Sequence, residues 1–600
     1  MGSPTLMERW RDRRFSQVSL GARFSPFAIW ITALALVTAA LVVYPIGLMT
    51  WRVIEAGSEG WAKLFNEFWF ERMTVDTFIV VGATSVLAVA LAALLAWTNE
   101  RTDAGIGAVG DALPLLPLLL PTVATAMGWV LLAIPEVGFL NGLLDAIGIT
   151  WDLNIYSLPG LIFVYVLVTV PYAYLPILAA FRTLDPSLEE AARISGAKPL
   201  KVFLTVSVRS ILPAMLAGLV LVGAVSLSLY SVPVILATRP GIELLSVRIV
   251  SAIRGRFPPA YDIAGMLSIL LALVLLGLWL LQRRSLAGGR FARVGTRGSG
   301  GSVARLGKWK WPFRSLILLY IGFSALLPVA ALVLVSFQTF WSGDIIGDWT
   351  WDNYEAVFGR SLGVNAVRNS AFHAIVTGGL TVLVAASLMI YAHRRRSMLG
   401  RFSQGVALVP AAITNTVFGV AFILAFAGPP FGLGGTTLIL ALAFFVVYLP
   451  YASIATEVSV ASVDRSLEEA SSLSGATEGR TFRRILIPLI LPGFFAAWAL
   501  VLVRIVGDLS LAVMLATPNT AVVGFLLIDV WEAGSFGVVA ALSLIMTAMT
   551  VPVVMFMLWL GRPRWKRGNE RQTPKSRPTG VGARQAMSRP ETNPSEPVAD

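Results

Sequence analysis

Twelve apolar runs, each close to the roughly 20 residues a helix needs to cross a bilayer, dictate what this chain can become. They lie at about 27–50, 77–97, 112–134, 157–181, 211–236, 261–282, 313–337, 371–393, 403–427, 434–456, 489–515 and 537–560. Charged residues are only 14% of the 600, against about 25% in an average soluble chain. The expected fold class is an all-α polytopic membrane protein with about twelve transmembrane helices.

The net charge of +13 is distributed by side. Arg9, Arg11, Arg13, Arg14 and Arg23 precede the first run, and residues 283–310 hold eight Lys or Arg and no acid. His393-Arg394-Arg395-Arg396 follows the eighth run, and Arg562, Arg564, Lys566 and Arg567 follow the twelfth. With twelve spans these segments share one face, which the positive-inside rule assigns to the cytoplasm together with both termini. The basic charge is a topology signal and gives no reason to expect nucleic acid. One loop departs from the rule: Arg239, Arg248, Arg254 and Arg256 follow the fifth run, on the external face by count. Either that loop folds against a partner or the membrane, or the fifth span is misplaced. The absence of cysteine excludes disulfides and thiolate metal sites. The first run, at about 24 residues, exceeds the roughly 7–15 of a cleavable signal, so it reads as a retained anchor.

The chain divides at Arg283-Arg284 and the Gly-Ser-Gly-Gly of 298–301, whose composition is that of a flexible linker that need not pack. The expected organisation is a basic cytoplasmic N-terminus at 1–26, a six-span domain at 27–282, the basic linker at 283–312, a second six-span domain at 313–562 and a disordered basic tail at 563–600. Both halves enter from the same side, so they are parallel repeats about a pseudo-twofold axis along the membrane normal.

A polar segment between the fourth and fifth runs of each half carries the duplication. Asp185 to Ala197 reads DPSLEEAARISGA, and Asp464 to Ala476 reads DRSLEEASSLSGA. Continued to Pro213 and Pro492, the 29-residue windows agree at 13 positions. Pro171-Tyr172-Ala173 matches Pro450-Tyr451-Ala452, and Leu236-Ala237-Thr238 matches Leu515-Ala516-Thr517, at the same offset. Ser187-Leu188-Glu189-Glu190 and Ser466-Leu467-Glu468-Glu469 fit a capping box, which predicts a helix starting at each serine. Both pairs of glutamates sit at the positive end of the helix dipole. Gly196 and Gly475 suit a left-handed helix end, and Pro199 suits the first turn of a second helix. The predicted shape is helix, glycine turn, helix, then re-entry into the membrane near Pro213 or Pro492.

Glu190-Ala191-Ala192 followed by Gly196 resembles the EAA motif of ABC importer permeases. The second copy, Glu469-Ala470-Ser471 with Gly475, continues with the family's I-x-L-P-like Ile485-Leu486-Ile487-Pro488, whereas the first reads Val206-Ser207-Val208-Arg209 and lacks the proline. The resemblance implies that the loops are coupling helices seated in clefts of an ATP-binding subunit. Glu189, Glu190, Ala191 and Gly196, with Glu468, Glu469, Ala470 and Gly475, are then the ATPase-coupling residues. The fused two-half arrangement resembles the iron(III)-type permeases, a group bordering thiamine, phosphonate and polyamine importers. The implied setting is a bacterial cytoplasmic membrane, with two copies of an ABC ATPase inside and a substrate-binding protein outside.

No P-loop is present, the nearest stretch (Gly301 to Lys308) having one residue too many between its glycines. The chain is therefore expected to catalyse nothing and bind no cofactor, with ATP and magnesium on the partner subunit. Arg504 and Asp508 lie four apart in the eleventh run, where they share a helix face and can pair; their first-half counterparts are Val225 and Leu229. Charges at membrane depth mark a pathway or a structural bridge. With Ser228, Tyr230, Thr414 and Asn415 they are the candidate translocation-pathway residues, although membrane hydroxyls often bond only their own backbone. His373 and His393 lack clustered partners, so no metal site is assigned. The rival reading is a major-facilitator-type secondary transporter. That class expects a G-x-x-x-D-R-x-G-R-like loop where this chain has Asn99-Glu-Arg-Thr-Asp-Ala-Gly-Ile-Gly. A non-transporting membrane scaffold or receptor is the third.

Overall fold

The computed structural model describes residues 26–287, 303–344, 347–394, 397–464, 466–476 and 478–560. The expected N-terminal extension, most of the linker and the C-terminal tail lie outside these residues. Among the described residues, ten helices are long and apolar enough to cross a membrane unaided, and two further helix pairs reach that length only across a sharp bend. Counting each pair as one span restores the expected twelve.

The bent pairs are Val109–Leu119 with Thr122–Ala133, turned by 89°, and Met398–Ala412 with Asn415–Ala427, turned by 101°. They occupy the runs expected as straight spans at 112–134 and 403–427. Pro121 breaks the first, because its ring removes an N–H and disfavours helix for Leu120, which is extended. The fifth and eleventh runs also need correction. Their helices end at Ser228 and Val506, and short helices Ser231–Leu236 and Ser510–Leu515 resume after a gap. At their other ends these spans begin earlier than hydropathy indicated, at Pro199 and Arg483.

The halves repeat down to single hydrogen bonds. Ser157 caps Leu158–Thr183 by accepting from Gly160 N at 3.2 Å, and Thr436 caps Thr437–Ala461 by accepting from Ile439 N at 3.5 Å. Single π-turns at Phe203–Ser207 and Phe482–Leu486 stand in the same register.

Small residues let the halves meet closely. Helix Thr122–Ala133 lies against Leu327–Ser336, and a Cβ on Gly128 would stand 2.5–2.6 Å from the backbone of Pro328. Trp129 Nε1 donates to Phe323 O at 3.0 Å, and Tyr320 Oη donates to Leu167 O at 3.0 Å, both across the halves. The end of the expected free linker packs as well. Ala304 pairs with Thr102 in a parallel bridge, Ala304 N donating to Arg101 O at 2.9 Å. Arg314 then donates to the carbonyls of Ala104 and Gly105 at 3.1 and 3.2 Å. The carbonyls left open by the loop after the second span are what the linker end satisfies.

The anomalous basic loop folds against the chain itself. Helix Leu245–Arg254 buries Leu245, Ile249, Val250 and Ile253. Arg248 sits 4.6 Å over Trp69 and pairs with Glu243, Arg254 lies 5.3 Å over Phe525, and Arg239 lies 5.1 Å over Tyr156 and 5.6 Å over Trp531. Aromatic faces attract these cations at short range, so they are spent on packing and carry no topology information.

Candidate functional site

Two places bring the singled-out residues together. The first is the duplicated polar loop. Helices Ser187–Ile194 and Ser466–Leu473 begin at the serines, as expected. The capping box does not form in the first copy. Pro186 takes the cap position without a side-chain bond, and Asp185 Oδ1 accepts from Ser187 N at 2.9 Å; Asp464 accepts from Ser466 N at 2.9 Å. The serine is inside the helix, so an aspartate two residues earlier holds the turn. That bond from Ser187 holds the Asp185 carboxyl below the usual carboxylate range.

The glycine turns are as expected. Gly196 and Gly475 have φ of 85° and 77°, and Ala197 N and Ala476 N each donate at 3.1 Å to the carbonyl five residues back, of Ala192 and Ser471. This is the Schellman arrangement, which satisfies carbonyls left open at the helix end. Pro199 opens the following helix.

The two glutamates of the first copy face different ways. Glu189 is 6% exposed, accepts from Ser207 Oγ at 2.6 Å and lies 3.7 Å from Arg101 Nε. Arg101 also donates to the carbonyls of Phe181 and Leu184 at 2.7 Å. Glu189 is thus an internal strut joining the loop helix to the second, fourth and fifth spans. Glu190 is half-buried, 4.0 Å from Arg193. The side chains of Glu468 and Glu469 are not among those described, whereas Ala191, Ala470 and both glycines are exposed. Sequence reading passed over the apolar residues beside them. Leu188 and Ile194 are exposed, Ile194 at 87%, and their counterparts Leu467 and Leu473 are exposed too, Leu473 at 89%.

Removing the strut has a local readout. Glu189→Ala strands the Ser207 hydroxyl and leaves Arg101 with its two carbonyls but no carboxylate, and an unsatisfied buried group costs about 1–3 kcal/mol. Amide exchange across Ser187–Ser195 should accelerate about tenfold or more, with little change in Glu190→Ala. Equal protection in both variants would refute the strut.

The second place is a cavity of about 320 Å³ where four helix breaks converge. Its walls include Leu120 to Thr122 and Ile413 to Asn415 from the bent pairs, Ser228 to Ser231 after the fifth span and Gly507 to Ser510 after the eleventh. Unwound backbone at membrane depth is tolerated where it is buried in protein or lines a polar cavity. Ser228, Tyr230, Thr414, Asn415, Arg504 and Asp508, the six expected pathway residues, all stand on these walls. Arg504 and Asp508 do not pair, however. The helix ends at Val506 with Gly507 after it, so the assumed i,i+4 face is interrupted, and no ion pair joins them among the described residues.

Asp508 is instead surrounded by donors. Asn415 Nδ2 reaches Oδ2 at 2.6 Å, Tyr448 Oη donates to the same oxygen, and Leu511 N donates to Oδ1 at 2.7 Å. Arg504 donates to Tyr172 Oη, and its guanidinium carbon lies 5.5 Å from the ring centres of both Tyr172 and Tyr451. Across the cavity Thr122 and Ser231 share a hydroxyl–hydroxyl bond of 2.6 Å. Sequence reading missed Tyr172, Tyr448 and Tyr451 as wall residues. The duplicated Pro-Tyr-Ala was the available signal for two of them.

A duplicated all-helical bundle around a polar cavity, its spans broken where they line it, defines a multi-pass membrane permease. The chain belongs to the family described as binding-protein-dependent transport system inner membrane component, which it matches at residues 85–282 and again at 383–562. It is therefore an ABC importer permease of the inner membrane with two permease repeats, which sets aside the secondary-transporter reading. It is 24% identical over 83% of its length to 72% of the ferric transport system permease protein FbpB of Actinobacillus pleuropneumoniae. It is also 24% identical over 90% of its length to 98% of the Fe(3+)-transport system permease protein FbpB 2 of Haemophilus influenzae. A Salmonella choleraesuis permease protein, PhnV, named for 2-aminoethylphosphonate transport, is 25% identical over 39% of this chain and 90% of its own.

Proposed function

We propose that this chain forms the translocation pathway of a binding-protein-dependent importer and takes its driving force from a separate ATPase. Two copies of that ATPase seat on the two helix–glycine-turn–helix loops and carry the ATP and magnesium. The observation that carries the reading is the duplicated exposure of Leu188, Ile194, Leu467 and Leu473 on the loop helices. Apolar side chains this exposed at matched positions call for a covering surface. The loop face and both termini are then cytoplasmic, and the opposite face receives an external substrate-binding protein. ATP-driven closure of the ATPase dimer draws the two loops together and rocks the bundles about the cavity. The Glu189 strut transmits that motion into three spans at once. Iron(III) as the cargo is supported by the names of the long relatives.

Purification of the full chain from native membranes should bring down an ATPase subunit. Gly196→Trp with Gly475→Trp places side chains in left-handed backbone, at about 1–2 kcal/mol each, and enlarges a surface that must dock. Uptake-coupled ATP hydrolysis should fall about tenfold or more, while the isolated ATPase keeps its own rate. Uptake driven by a proton gradient with no ATPase attached would refute the proposal.

A further inference from the structure

We infer that the central cavity is an oxyanion site, taking its solute by a phosphonate-, phosphate- or carboxylate-type group held by Arg504. This deepens the permease reading and rests on it. The polar groups on the walls differ in how far they are already satisfied. Asp508, the one carboxylate there, has both oxygens engaged by Asn415, Tyr448 and the Leu511 N–H. It has little left to offer a cationic solute.

Arg504 is in the opposite condition. Among the described residues no carboxylate pairs with it, its Nε is enclosed without a hydrogen-bond partner, and a tyrosine hydroxyl is its hydrogen-bonded neighbour. Two tyrosine rings soften the burial of its charge, but aromatic faces do not neutralise it. A half-buried guanidinium at membrane depth with no carboxylate bonded to it, and with one N–H left unused, is costly unless a solute meets it. A planar donor fork is also the group best matched to carboxylate or phosphate oxygens. The Thr414 hydroxyl, and whichever of the paired Thr122 and Ser231 hydroxyls does not donate to the other, add further donors on the remaining walls.

The same walls do not suit a bare metal cation. Hard cations take several oxygen ligands, Asp508 is the one carboxylate on these walls, and among the described residues no group of three His, Cys, Asp or Glu could hold one. An iron cargo carried inside an anionic complex would present the same oxyanion edge to Arg504.

The chain has no cysteine, so Ser228→Cys puts a unique thiol on the cavity wall. The full chain in lipid nanodiscs is treated with a sulfonate-bearing and a trimethylammonium-bearing methanethiosulfonate, each rate divided by that with free 2-mercaptoethanol. The normalised rate should favour the sulfonate reagent about tenfold. Adding Arg504→Gln should erase the preference, Arg504→Lys should keep part of it, and millimolar methylphosphonate should slow labelling only when Arg504 is present. A preference for the cationic reagent, a ratio unmoved by Arg504→Gln, or no labelling by either reagent overturns the site. Failure of the permease reading shows separately, as a chain that selects the sulfonate but brings down no ATPase.

Discussion

Gly128→Val is expected to prevent the two halves from assembling. The first added atom would already stand 2.5–2.6 Å from the backbone of Pro328, and backbone cannot rotate aside as a side chain can. The helices Thr122–Ala133 and Leu327–Ser336 would have to separate, weakening the Trp129–Phe323 and Tyr320–Leu167 bonds across the same seam. Overpacking a well-fitted contact costs about 1–3 kcal/mol or more. Lost interhelical bonds add about 0.6 kcal/mol each. Size-exclusion chromatography of the solubilised chain should show aggregate in place of the wild-type peak, with Gly128→Ala intermediate. A valine variant that elutes and melts like the wild type would show that the halves are held elsewhere.

The second large effect is expected at Asp508. Alanine there strands the Tyr448 hydroxyl and the Leu511 N–H, at about 1–3 kcal/mol for each buried donor left without an acceptor, and leaves the Asn415 amide bonded to Tyr448 Oη alone at 3.1 Å. These groups pin the backbone that resumes as Ser510–Leu515, so the cavity wall loosens along with them. Uptake by the reconstituted importer should fall at least about a hundredfold in Asp508→Ala and less in Asp508→Asn, which keeps one acceptor oxygen. Equal losses in the two variants would instead point to the negative charge itself.

The spans were legible because bilayer thickness imposes a length on apolar sequence, whatever the packing. The breaks were not. A hydropathy window adds Leu229 and Tyr230 to its neighbours, and it cannot register that the helix stops at Ser228. The supposed Arg504–Asp508 pair failed for the same reason, since i,i+4 spacing has meaning only within an uninterrupted helix and Gly507 ends this one. At the loops, the glycine positions were legible because a left-handed residue has few alternatives to glycine. The capping box matched as a string, but Asp185 competes for the same turn and wins. Arg239, Arg248 and Arg254 of the basic loop misled because charge counting cannot see the aromatic ring that lies beneath each of them. The cavity tyrosines stood in the repeat all along, yet only the fold shows that both copies reach one guanidinium.

That shared guanidinium gives a reason for joining the halves in one polypeptide. Tyr172 and Tyr451 are duplicated, whereas the position matching Arg504 is Val225. Two identical subunits would each bring an arginine to the shared cavity, and their like charges would repel in a poorly screened interior. A gene encoding both halves can alter one copy alone. Fusion thus permits a single arginine in the cavity of an otherwise twofold frame, giving the solute one orientation in which to be held.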